Sequence, residues 1–331
     1  MKKITALVIS VIMICSCTVS CSGPEEVNLH TYEATVGDRA FKAVYLADVS
    51  RDGETTALSE SELEAVDTAL SDAVKDKLWF FSEENSEGIY ELNKEVDAIL
   101  DCNEDVIEFV EYAYSLTETA DGKYQPVMGA VTSLYSDGSQ VTAELLSEAM
   151  THVGNELIVV DGANVRKSDR KAKFDFDSIV EGYVLADTMA VLSSKNINYA
   201  ILSCGNTVAT YGSLEKEETV DMAVYLSNDS KMHSGILSFN DTVVTTCNSH
   251  SLVLDVATGE KVQSEHDTVI VLCSDGVLSN VIAPIIYGMS TDDIMKLYNK
   301  KQLNFEAVII DANGDFVTTS EAVVYEKNVS E

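Results

Sequence analysis

Proline is scarce in this chain, three residues in 331, and the seventeen glycines form no run. Collagen-like and low-complexity classes are therefore excluded. Basic residues are also few: 22 Lys and Arg against 55 Asp and Glu give a formal net charge of −33. A field of that sign repels polyanions, which argues against nucleic acid as a partner and suits a soluble, monomeric protein in an extracellular setting. No Cys-x-x-Cys pair occurs and the five histidines show no metal spacing, so a zinc site has no support. Gly-x-Ser-x-Gly, P-loop and Gly-x-Gly-x-x-Gly motifs are all missing, and with them the grounds for hydrolase, NTPase and Rossmann readings. Hydrophobic residues make up 46% of the chain, enough for a sizeable core.

Residues 1–16 read as a signal peptide of lipoprotein type. Lys2 and Lys3 precede an apolar run from Ile4 to Ile14, too short to cross a bilayer, which needs about 20 residues. Ile14-Cys-Ser-Cys17 fits the bacterial lipobox better than Thr18-Val-Ser-Cys21, so a lipid is expected on Cys17 or Cys21. Residues 17–29 would then tether the protein to the outer face of a cell membrane. Cys102, Cys204, Cys247 and Cys273 remain, and the last three sit in or beside apolar strand-like runs. Buried free thiols are the expected state.

In the body of the chain, His30 to Leu46 alternates around Val36-Gly-Asp38 and reads as a β-hairpin. Ser59 and Glu62 form a capping box ahead of an amphipathic helix to about Lys77. A second helix is expected over 104–119, an irregular segment over 124–136, and a short helix over 142–152. Strands are expected at 157–160, across a hairpin in 161–173, and at 199–203, 207–211, 221–226, 235–239, 242–247 and 251–255. Helices are expected at 178–194, 277–289 and 291–300, and a closing hairpin over 307–318. The mixture indicates an α+β class with no clean linker.

The most specific stretch runs from Phe174 to Asp187: Phe-Asp-Phe-Asp-Ser-Ile-Val-Glu-Gly-Tyr-Val-Leu-Ala-Asp. An acidic strand end meets a helix start, and a second strand, 199–203, runs into Cys204-Gly-Asn206. Helix N-termini beside such strand exits suit a diphosphate. The wording resembles the signature of the ApbE family, the FAD:protein FMN transferases: Asp-Leu-(Gly/Ser)-x-(Ile/Val)-(Ala/Gly)-(Lys/Glu)-Gly-Tyr-x-x-Asp. Asp175, Ile179, Glu181, Gly182, Tyr183 and Asp187 fit, whereas Asp177 and Val180 depart. Ser82 to Asn93, Asp121-Gly122, Pro126, the 129–136 segment, Val244 to Cys247 and Leu252 to Gly259 resemble further family motifs in order. Ser279 to Pro284 stands at the family's Ala-Asp-Ala-x-x-Thr helix start.

The resemblance implies an ApbE-type, T-fold-like single large domain over 30–325, mostly antiparallel sheet with packed helices, and a tail over 326–331. It implies cleavage of FAD at its diphosphate and transfer of FMN to a Thr or Ser of an acceptor protein. It also implies contacts to the flavin nucleotide from Asn93, Leu134, Tyr135, Asp175, Glu181, Thr245, Thr246 and Leu254. For the magnesium that neutralises phosphate charge, the family positions are Ser178, Asn280, Ala283 and Pro284. Here they are degenerate: Asn280 replaces a catalytic Asp, and Pro284 replaces a Thr. Asp275 is a nearby substitute carboxylate. Pro284 should kink its helix or begin it.

Bland readings stand beside these. Ser178 and Glu181 also form a capping box, Asp175 serves equally as a turn residue, and Tyr135 suits core packing as well as stacking on a ring. The basic run Arg166 to Lys173 reads as a solvated hairpin tip before it reads as a diphosphate attractor. Three functions follow: an exported flavin transferase of weakened activity, a non-catalytic descendant that binds flavin or a partner, or an extracellular binding lipoprotein whose ligand is unrelated to flavin.

Overall fold

The computed structural model describes residues 28–36, 39–51, 54–136, 140–212, 219–227 and 229–327. The expected signal peptide, and Cys17 and Cys21 with it, lie outside the described residues.

Sixteen strands and seven helices are described. In chain order they are β1 (Leu29–Val36), β2 (Arg39–Leu46), β3 (Asp48–Arg51), β4 (Glu54–Ala57), α1 (Glu60–Phe80), β5 (Ala98–Ile99), α2 (Glu104–Thr119), α3 (Gly129–Ser136), α4 (Ala143–Met150), β6 (Ile158–Asp161) and β7 (Asn164–Lys167). After these come α5 (Val180–Ser194), β8 (Tyr199–Cys204), β9 (Thr207–Gly212), β10 (Val220–Leu226), β11 (Asp229–Phe239), β12 (Val243–Asn248), β13 (Thr268–Cys273), α6 (Gly276–Tyr287), α7 (Thr291–Asn299), β14 (Glu306–Ile310), β15 (Phe316–Thr318) and β16 (Val324–Lys327). The largest sheet has eight strands in the order β1-β2-β8-β9-β12-β13-β14-β15. Each pairing between its neighbours is antiparallel.

Alternation along the strands assigns the two faces. Thr207, Ala209, Val243, Thr245, Cys247, Val269 and Val271 face the helices, whereas Val208, Val244 and Ile270 pack beneath the three-stranded β10-β11-β16 sheet. On the helical face, α1 buries Val66, Leu70 and Val74 at four-residue spacing. The expected capping box is in place, with the Ser59 N–H donating to Glu62 at 2.8 Å, and the helix runs on to Phe80.

Aromatic residues are only 7% of the chain, yet several gather beneath the start of α5. Phe109 meets Phe176 at 5.0 Å and Tyr183 at 5.1 Å edge-on, Phe81 meets Tyr183 at 5.8 Å, and Phe174 stacks on Phe176 at 5.0 Å. Each such pair adds about 0.5–1.5 kcal/mol beyond its buried area. The cluster therefore fixes the segment that delivers Asp175 to the surface.

Several expectations need correcting. Residues 129–136 form α3 rather than irregular chain: Ser133 Oγ returns to Gly129 O at 2.6 Å, and Gly129 packs where a Cβ would meet Phe174 O at 2.6 Å. Residues 251–255 form no strand but a turn closed by a single bridge from Leu254 to Lys261. In 161–173 the pairing stops at Lys167. β13, absent from the expected strands, is central to the sheet. The tail begins later than 326, because Glu326 and Lys327 pair with Ile236 and Gly235.

Candidate functional site

Register places the first site residues. Thr245 on β12 lies directly opposite Thr207 on β9, so both hydroxyls rise on the helical face side by side. Above them cross the starts of α5 and α6. A Cβ on Gly182 would fall 2.3 Å from Gly276 O, so the two helices touch backbone to backbone. Asn280, 3% exposed, sits in this crossing. Its Oδ1 accepts the Gly182 N–H at 2.6 Å, and its Nδ2 donates to Thr207 Oγ1 at 2.8 Å and Thr245 Oγ1 at 2.9 Å. The Ser279 hydroxyl also donates to Thr245, at 2.8 Å.

Glu181 extends this network toward the surface. Its Oε2 accepts the Asn206 N–H at 2.9 Å and the Thr207 hydroxyl at 3.0 Å, and Arg39 approaches Oε1 at 3.3 Å. Burial pushes the Glu181 carboxyl above its ordinary range, against the lowering pull of Arg39 and the two hydrogen bonds. Gly205 makes the approach possible: its φ is +54°, and a Cβ there would lie 1.9 Å from Glu181 Oε1.

The capping-box reading of Ser178 and Glu181 fails. α5 begins after Ile179, no side chain of its own N-terminus caps it, and Ser178 is exposed. Asn280 fills that role from α6, reaching across to the Gly182 N–H. The expectation that Pro284 begins its helix fails too. It lies inside α6 rather than at its start, so its missing N–H leaves the Asn280 carbonyl without the usual helical donor.

The remaining candidates divide into two groups. Asp175 forms a turn, its Oδ1 accepting the Asp177 N–H at 2.9 Å, and it lies near Tyr90 and Tyr124, whose hydroxyls it helps to keep protonated after burial. Asn93 spends its amide on the neighbouring backbone, donating to Phe174 O at 2.9 Å and accepting Phe174 N–H at 2.6 Å. Leu134, Tyr135 and Leu254 pack together with Met128, Val131 and Ala149. The Tyr135 hydroxyl is pinned to Gly259 O at 2.9 Å and Lys261 covers the ring at 5.2 Å. Beside them is a cavity of about 390 Å³ lined by Tyr135, Val141, Thr142, Ala143, Leu146, Glu260 and Lys261, within the size range of small-molecule sites. Thr246 does not share the face of Thr245; its N–H donates to Asn206 O at 3.0 Å.

The basic run is neutralised. Arg166 pairs with Asp161, Arg170 with Asp97, Lys171 with Glu148 and Lys173 with Glu95. Lys167 is 5% exposed, donates to the carbonyls of Leu92 and Lys94, and is pushed down to about 8 by burial. Two residues escaped the sequence reading. Arg39 stands in an exposed-looking hairpin, and Thr207 resembles any β-branched strand residue; only strand register brings them to Glu181.

The donor set at the start of α6 does not fit a magnesium ion, which wants six oxygens with one or two carboxylates among them. Asp275 caps α6, accepting from the N–H groups of Val277 and Leu278 at 2.9 and 3.0 Å. Ala283 is wholly buried among Cys247, Val253 and Ile282, and neither it nor Pro284 offers a side-chain oxygen. Among the described residues no group of three His, Cys, Asp or Glu could hold a metal ion.

Solved structures with this architecture include flavin transferases. The chain superposes on "Flavin Transferase ApbE from Vibrio cholerae" with a TM-score of 0.69 at 15% identity, covering 88% of this chain and 96% of that one. For the apo flavinyl transferase ApbE of Pseudomonas stutzeri the values are 0.71, 16%, 90% and 96%. For the ApbE protein of Thermotoga maritima they are 0.74, 16%, 89% and 98%. No curated protein matches the sequence. These identities speak for the fold alone. The sequence itself matches the family model described as "ApbE family" over residues 47–309. With most of the chain inside that match and the signature segment built into the α5 corner, the protein belongs to the ApbE family.

Proposed function

We propose that this protein is a flavin transferase that takes FAD at the start of α5 and passes FMN to a Ser or Thr hydroxyl of an acceptor protein. A phosphoester forms to the acceptor oxygen as the FAD diphosphate opens, with AMP leaving. The observation that carries the reading is the family match over residues 47–309. The chain's own residues have binding roles in it. The first turn of α5 offers N–H groups suited to an anion, Arg39 adds positive charge beside Glu181, and Asp175 and Glu181 orient the nucleotide. Tyr135 and its neighbouring cavity receive a planar ring. When bound at such sites, magnesium supplies charge neutralisation on phosphate oxygens; the donor set here does not fit it. Export and a lipid on Cys17 or Cys21 would set this activity at the outer face of a membrane, so replacing both cysteines by Ala should release the protein from the membrane fraction.

A second reading, flavin binding without transfer, is favoured by one feature: Asn280 spends its whole amide inside the fold. Incubating the mature protein with FAD and an acceptor domain, then weighing the acceptor, separates the two. Transfer gives an acceptor heavier by one esterified FMN. Bound flavin without that increment establishes the second reading, and a protein that neither binds nor transfers flavin overturns both.

A further inference from the structure

The crossing of α5 and α6 is held by an amide whose direction matters. Nδ2 of Asn280 donates to two threonine hydroxyls, and the Thr207 proton passes on to Glu181. The hydroxyl of Ser279 likewise points at Thr245. A carboxylate at 280 could not make those two donations, so the network as built requires the neutral residue. Space argues the same way. The Gly182 N–H lies 2.6 Å from Oδ1, and a Cβ on Gly182 would meet Oδ1 at 2.7 Å and Gly276 O at 2.3 Å, so the crossing has no room to spare. An ion needing about six oxygens at roughly 2.1 Å finds no shell there. Charge agrees as well, because two helix N-termini converge on the crossing and each disfavours a cation. Glu181, linked to the network through Thr207, already has Arg39 as its counter-ion, and Asp275 is spent capping α6.

We infer that Asn280 closes this corner to divalent cations, so that the protein engages its nucleotide with no metal held at the start of α6. The nucleotide part rests on the flavin reading above; the closure itself does not.

Two measurements separate these. The first uses Mn²⁺ alone as probe, at physiological ionic strength, following the electron paramagnetic resonance signal of the free ion. The wild type should take up Mn²⁺ only weakly and without saturation, as its general negative charge demands. One saturable site per chain in the wild type whose affinity changes in Asn280→Asp would overturn the inference, whereas a site indifferent to that substitution lies elsewhere and leaves the corner closed. If Asn280→Asp does not fold, Thr245→Val takes its place: a saturable wild-type site lost in that variant counts against closure, and the absence of a saturable site supports it. The second measures FAD affinity by flavin fluorescence with millimolar Mg²⁺ or with chelator. The two dissociation constants should agree within about twofold, whereas tightening by tenfold, about 1.4 kcal/mol, would refute metal independence. Failure to bind FAD under either condition would remove the flavin reading and leave the Mn²⁺ titration to decide closure by itself.

Discussion

Glu181 shows how one side chain answers to two demands. Its carboxylate joins α5 to the β8–β9 turn, yet burial holds its pKa above the ordinary value. A raised carboxyl pKa means the folded state binds the proton more tightly, so this group's contribution to stability falls as pH rises above the unfolded value near 4.5. Glu181→Gln should therefore leave the unfolding midpoint at neutral pH unchanged or slightly higher, while the loss of slope as pH rises above about 4.5 is read by denaturant titration. Gly205→Ala is expected to be severe. The new Cβ would strike Glu181 and sit at positive φ, costing at least 1–2 kcal/mol, roughly, in chemical denaturation. Asn280→Ala leaves the buried Gly182 N–H unpaired, while Thr207 keeps Glu181 and Thr245 keeps Ser279, and a loss of about 1–3 kcal/mol follows.

At the level of elements, α6 carries an internal proline that its role does not require. Pro284→Ala restores a donor to the Asn280 carbonyl, and helix propensity sets the expected gain at about 1–3 kcal/mol in unfolding free energy. An unchanged or lower stability would show that the ring's packing against α6's neighbours outweighs the missing hydrogen bond. Elements were legible in the sequence where periodicity and caps agreed. α2 is found at 104–119 as expected, with Asn103 capping it, and α1 begins at its capping box. α3 was hidden because it opens on glycine and carries Val131 and Thr132, residues that local propensity assigns elsewhere. The signature segment announced the family, but not the partners of its side chains. Asn280 was legible as a substitution and not as a cross-helix cap, since that role depends on Gly182, 98 positions away. Arg39 and Thr207 gave no local signal.

Across the whole molecule, the charge of −33 sets the response to salt. Mutual repulsion is relieved as the screening length shortens, so the unfolding temperature should climb between about 10 and 150 mM salt and then level. A flat profile would show that local pairs, such as those along 166–173, already absorb the repulsion. Alkaline pH should act oppositely. Burial pushes the thiols of Cys204 and Cys247 up to about 12, with Tyr112 also at about 12, so the folded protein holds protons that the unfolded chain releases. Stability is then lost as pH rises past about 8.5, where unfolded thiols ionise; Lys167 works the other way, but singly. The same burial should leave Cys204 and Cys247 inert to a thiol reagent until the protein is unfolded.

The bare contact between Gly182 and Gly276 gives the corner its mechanical character. With no side chain as a cushion, neither helix can slide without carrying the other, and a single added methyl would act as a wedge. Prying there would let solvent into the knot of hydroxyls and amide beneath, so the joint between these two helices is where the protein should be least forgiving of growth in size.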